Sequence, residues 1–180
     1  MPRPSQQFRQ PAADQPGAPK QQHPHRSALR PRLRRVALRA LVSGSVASVL
    51  SIIAATALSR PRTGSAASAT NAPSQWVWGE PARRRHDVTL RHTALGYCIH
   101  HASSLLWGSV HEGTLERVGA RPWQVAPAVA AMAMVVDYGV VPRRLSPGFE
   151  RHLSRPGLVA VYATFAIGLT LGSRLARRIR

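Results

Sequence analysis

The sequence predicts an all-α integral membrane protein, a four-helix bundle behind a disordered N-terminal tail, and three observations predict it. The apolar residues gather into four blocks, each about the length a bilayer core asks of a helix. The 25 basic residues, nearly all Arg, fall between and outside those blocks. Pro, Gly and charge, which a lipid-exposed span does not tolerate, crowd the connections.

Taken in order, residues 1–35 form a basic Pro- and Gln-rich tail, too poor in large apolar groups to offset the entropy of ordering. Residues 40–58 run without a charge and make the first span. Ser43, Ala47, Ser51 and Ala55 recur along it every four residues, placing small side chains on one face where a second helix can approach. An export signal is the competing reading, with Arg34 and Arg35 in a twin-arginine setting and "ASA" at 67–69 as a cleavage site. Arg60 and Arg62 ahead of that site, and three further apolar blocks after it, argue against removal.

A long connection follows, in which Trp76 and Trp78 read as an interfacial turn or short helix at head-group level. The second span, residues 93–110, is weaker because it carries polar side chains. The third, residues 123–141, is interrupted only by Pro127 and Asp137, and the fourth covers residues 157–173. Ala160, Thr164, Gly168 and Gly172 repeat the four-residue pattern of small side chains there. The membrane domain is thus residues 36–175, with a basic end at 176–180. Placing both termini in the cytoplasm gives that side fifteen basic residues against ten, although "ARRRH" at 82–86 then lies outside.

A net charge of +18 ordinarily raises nucleic-acid binding. No recognition fold accompanies the charge, and arginines flanking apolar blocks fix topology and meet anionic head groups instead. The lipid bilayer, not nucleic acid, is the expected partner, with a homo-oligomer or another membrane protein beside it. Cys98 is the single cysteine, which excludes an internal disulfide framework and a cysteine-rich zinc site. The near absence of Lys suggests a GC-rich, bacterial genome.

The candidate site lies inside the membrane. On a helix, Gly96, His100, Ser103, Ser104, Trp107 and His111 share one broad face, continued by His92, and a polar face within a bilayer turns toward other helices or a water-filled space. Asp137 on the third span is the expected partner, since a carboxylate near the bilayer centre is rarely left facing lipid. The expected cluster is His100 or His101, Ser103 or Ser104, Asp137 and Tyr138, able to relay a proton or simply to hydrogen-bond across helices. His92, His100, His101 and His111 are the candidate metal or haem ligands, although adjacent His100 and His101 point about 100° apart on a helix. "HEGTLE" at 111–116 lacks the second histidine of a zinc-protease helix. Arg143 and Arg144 are expected at the interface, pairing with Glu150 or with a lipid phosphate. No cofactor is expected.

The segments "NAPSQWVWG" at 71–79, "GYCIHHASSLLW" at 96–107 and "VDYGVVPRRLSPGFE" at 136–150 resemble recurring segments of small multi-pass bacterial inner-membrane proteins of uncharacterised function. The resemblance spans about residues 36–175 and implies location and four-helix topology, with no activity to carry over. No catalytic motif appears, and the expected function is that of a nonenzymatic inner-membrane component. The alternatives are a proton-coupled transporter, or a metal- or haem-binding redox protein, built on the second-span histidines and Asp137.

Overall fold

A 40-residue helix opens the computed structural model, which describes residues 24–179. This helix, α1 (Pro24–Thr63), is followed by α2 (Leu95–Val118), α3 (Pro122–Val135) and α4 (Arg155–Arg178). The described residues are helical with no strands. Three segments, 30–63, 122–140 and 155–178, are long and apolar enough to cross a membrane. The 24-residue α2 is not among them, because its histidines, serines and the glutamates Glu112 and Glu116 lower its hydropathy.

At about 1.5 Å per residue α1 is about 60 Å long, twice a bilayer core, so its first turns extend well beyond the apolar stretch. The reading of a disordered tail over residues 1–23 lies outside the described residues, but from Pro24 that stretch is helical. Its charge pattern supplies a reason: Arg32, Arg35 and Arg39, spaced three and four apart, share one face and all reach Glu116 near the end of α2.

The helices alternate in direction. One end holds the start of α1, the short α2–α3 connection and the end of α4, joined by those arginines and by an Arg177–Glu112 pair at 3.0 Å. The other end holds the two long connections. α1 packs between α2 and α4, and α3 closes the square against α4 and α2.

Small side chains set the closest approaches. Ser43, Ala47, Ser51 and Ala55 are all buried. A Cβ built on Gly172 would lie 2.6 Å from Ser43 Cα, and one on Gly168 would overlap the Ala47 backbone. The small-residue rows of α1 and α4 are therefore spent on each other; in α4, however, Ala160 is exposed and only Gly168 and Gly172 of its row are buried. A second row serves α2: Cβ atoms on Gly44 and Gly108 would come within 2.8 and 2.9 Å of the Ser104 and Ala40 carbonyl oxygens.

Local chemistry sets the boundaries. The α2 helix ends at Gly119, whose positive φ lets its N–H donate to Leu115 O. The α4 helix starts at Ser154, whose hydroxyl accepts from Gly157 N, with Pro156 in the first turn. The third span does not finish as a regular helix. After Val135 it widens into a π turn, Val136–Val140, which carries Asp137.

The first long connection folds into short helices, Ala67–Asn71, Ala72–Ser74 and Gln75–Trp78, whose polar side chains Ser68, Asn71, Ser74 and Gln75 are buried rather than solvated. Asn71 shows why: its amide donates to Arg85 O and Asp87 O, and its carbonyl oxygen accepts from Thr93 at 2.7 Å, so one side chain ties the loop to the start of α2.

Candidate functional site

Two apolar clusters fill the bundle. Leu115, Val125, Val129, Phe165 and Leu169 centre the one toward the short connection, and Ile52, Phe149, Leu153, Leu158 and Val161 centre the one toward the long connections. Where they meet lies a cavity of about 50 Å³, measured as room for the centres of water-sized groups. At about 10–15 Å³ per water that is space for roughly three to five.

All four helices contribute to its wall. His100, Ser103, Ser104 and Trp107 come from α2, Ala133 from α3 and Asp137 from the π turn that follows, Tyr162 and Phe165 from α4, and Ser51 from α1. Pro73, Trp76, Pro147 and Phe149 belong to the two long connections. The lining is mainly apolar with a few convergent polar groups, as small-molecule sites commonly are.

The polar groups form two separate sets. His100 Nε2 lies 3.1 Å from Ser51 Oγ and 3.3 Å from Ser48 O. Ser51 Oγ also donates back to Ala47 O, so the histidine is steered by α1. On the other side Tyr162 donates its phenolic proton to Asp137 Oδ2 at 2.6 Å. The widened turn at 136–140 is where the chain presents this carboxylate to α4.

The sequence-predicted cluster is therefore divided. His100, Ser103, Ser104 and Asp137 share the cavity, but among the described residues no hydrogen bond joins His100 to Asp137; the partner of the carboxylate is Tyr162. His101 points elsewhere and stacks on Tyr97 with ring centroids 5.8 Å apart. Tyr138 sits edge-on to Tyr162 at 6.2 Å, outside the cavity lining. Ser104 is buried and bonds the His100 carbonyl of its own helix. Sequence reasoning missed Tyr162 and Ser51. A phenol in an apolar helix was the available signal, since a buried Tyr hydroxyl usually finds a partner. Ser51 reads in the sequence only as a small residue of the four-residue row.

The four candidate metal ligands do not converge. His92 meets Ser74, His100 meets Ser51, His101 meets Tyr97, and His111 is buried beside Glu112 at the opposite end of α2. Among the described residues no three His, Cys, Asp or Glu side chains gather as a metal site would require.

Above the cavity the two long connections lock together. Arg83, buried despite its charge, donates to Glu150 Oε1 at 2.7 Å, to Ser146 Oγ at 3.0 Å and to Arg143 O at 3.2 Å. Glu150 thus takes Arg83, not the expected Arg143 or Arg144; Arg143 contributes its carbonyl. Gln75 and Trp76 both donate to Ser146 O, which holds Trp76 at the cavity. Trp78 donates to Arg91 O, with the Arg91 guanidinium 4.2 Å from its ring centre. His152 is buried edge-on to His86, and burial first, then His86, Arg151 and Arg83, hold its imidazole below the usual histidine range against an opposing backbone hydrogen bond at Arg83.

The chain matches no protein-family model, no curated protein and no solved structure.

Proposed function

We propose that the chain is a nonenzymatic four-helix component of a bacterial inner membrane, with both termini cytoplasmic, and that its central cavity is the working part. The observation that carries this reading is the cavity itself, to which all four helices bring side chains. Ser103 Oγ and Asp137 Oδ1 make no hydrogen bond among the described residues, which leaves an acceptor and a hydroxyl to whatever occupies the space. Three apolar helices support the membrane location, and α2 completes the fourth crossing with its polar face turned inward. Reporter fusions after residue 75 and at both termini test the topology. Periplasmic activity at 75 and cytoplasmic activity at the termini are expected; a cytoplasmic residue 75 overturns the orientation.

A second reading, proton-coupled carriage, is favoured by one specific observation: His100 and Asp137 face the same water-sized space. Proteoliposomes loaded with a pH-sensitive dye test it. Carriage predicts acidification on an imposed gradient that falls at least tenfold in His100→Ala and Asp137→Asn. Equal rates in the folded variants sink it and leave the first reading standing.

A further inference from the structure

At the end away from the long connections, α1 and α4 leave a groove of about 660 Å³ between them. Arg35, Arg39 and Arg177 line it together with Leu38 and Val42. Ala176 and the well-exposed Ile179 complete the apolar part.

The position and the charge both specify an occupant. Arg39 is the last charge before the uncharged stretch of α1, and Arg177 follows the apolar stretch of α4, so the guanidiniums stand where a bilayer places its phosphates. Val42 and Ala176 lie next to them, beside the acyl region. The local charges do not cancel: Arg32, Arg35 and Arg39 share the single carboxylate of Glu116, and Arg177 has Glu112, leaving four arginines against two glutamates. The Glu116 pairs are long, at 3.5 to 3.8 Å, and Arg35 is more than half exposed, so its guanidinium retains most of its donors. Planar guanidiniums bind phosphate oxygens two at a time, and neighbouring apolar side chains suit an acyl chain.

We propose that this groove binds an anionic phospholipid, with its phosphate on Arg35 and Arg39 and an acyl chain running past Ala176 and Val42 toward the bilayer core. The inference rests on the membrane reading above. Protein purified in neutral detergent would be exchanged into phosphatidylglycerol or phosphatidylcholine, washed, and weighed by native mass spectrometry. Retained phosphatidylglycerol is expected on the wild type, reduced at least tenfold by Arg35→Gln/Arg39→Gln and unchanged by Arg84→Gln/Arg85→Gln at the other end. Because the double variant also loses contacts to Glu116, Arg35→Gln alone, whose pair is the longest, serves as the milder variant, with a several-fold loss expected. Equal retention in the Arg35 variants, or equal retention of phosphatidylcholine, overturns the site. Carbonate extraction separates the two readings: release from membranes defeats the membrane location, whereas stable integration with unaltered lipid retention defeats only this groove.

Discussion

The two ends of the bundle use arginine in opposite ways. At the long-connection end Arg83 is buried, and one nitrogen of its guanidinium serves a carboxylate, a hydroxyl and a carbonyl from the facing loop. At the short-connection end, three partly exposed arginines crowd one carboxylate at distances too long for good hydrogen bonds, and Arg32 adds a bond to the Glu116 backbone carbonyl at 2.9 Å. The first arrangement is buried, is spent on internal acceptors and joins two segments far apart in sequence. The second is under-neutralised and open. A buried arginine held by internal acceptors specifies internal geometry, while a surplus of open ones is available to an external anion; the local partners, not the residue type, decide which.

The largest expected effect breaks the closed end alone. A Cβ on Gly96 would overlap the Thr70 carbonyl oxygen, which is backbone and cannot swing aside. Gly96→Ala should cost about 3 kcal/mol and loosen the loop helices, read as a lower unfolding midpoint and faster protease nicking between residues 63 and 92. An unchanged midpoint would show that the loop does not pack on α2 as described. Arg83→Ala comes next. Breaking a buried pair costs about 3–5 kcal/mol, but Glu150 is one-third exposed and can turn to solvent, so about 2 kcal/mol is expected. Its signature is a gain of nicking in both long connections at once. Loss confined to one loop would mean that the arginine is not their common tie.

The contrast between the ends also marks what a reader of the sequence could see. Block length is enough to place the apolar helices, and the four-residue rows mark faces for close approach, because both follow from local periodicity; that the two rows meet each other rather than a second molecule is seen only in the fold. The polar face of α2 was legible for the same reason, and His100, Ser103 and Ser104 do line the cavity. The partners were not. Asp137 goes to Tyr162 because a π turn re-aims it, and a one-residue widening of a helix leaves no mark in hydropathy. The first long connection, rich in Pro, Gly and Ser, reads as a surface segment with an interfacial turn or short helix at Trp76 and Trp78, yet Ser68, Asn71, Ser74 and Gln75 are buried by hydrogen bonds whose partners lie 16 to 71 residues further along the chain.

Acidification tests the closed end more gently. His152 lies outside the spans, and its affinity for protons is lowered in the folded protein, chiefly by burial, with His86, Arg83 and Arg151 facing it. The folded state therefore favours the neutral ring. Stability from this group is fully present above its ordinary value of 6.5 and is lost as pH falls through the lower folded value. Protection of the amides in residues 146–154, taken relative to the intrinsic exchange rate at each pH, should fall between pH 7.5 and 5.5, and His152→Gln should flatten that difference. An equal loss of protection in the variant would assign the pH response to another group.

The smallest effect on stability sharpens the comparison most. Glu116→Gln removes the one carboxylate shared by Arg32, Arg35 and Arg39, and because those pairs are long and partly exposed the cost should stay below about 1 kcal/mol. The same change frees three guanidiniums from their internal competitor. Retention of phosphatidylglycerol should therefore rise, and its loss with added salt should begin at higher ionic strength, since more cations then hold the phosphate. A closed, buried cluster would respond the other way, losing stability on removal of its central acid and gaining no ligand. A fall in lipid retention together with a drop of several kcal/mol would place this end in the same class as Arg83 and erase the contrast between the two ends.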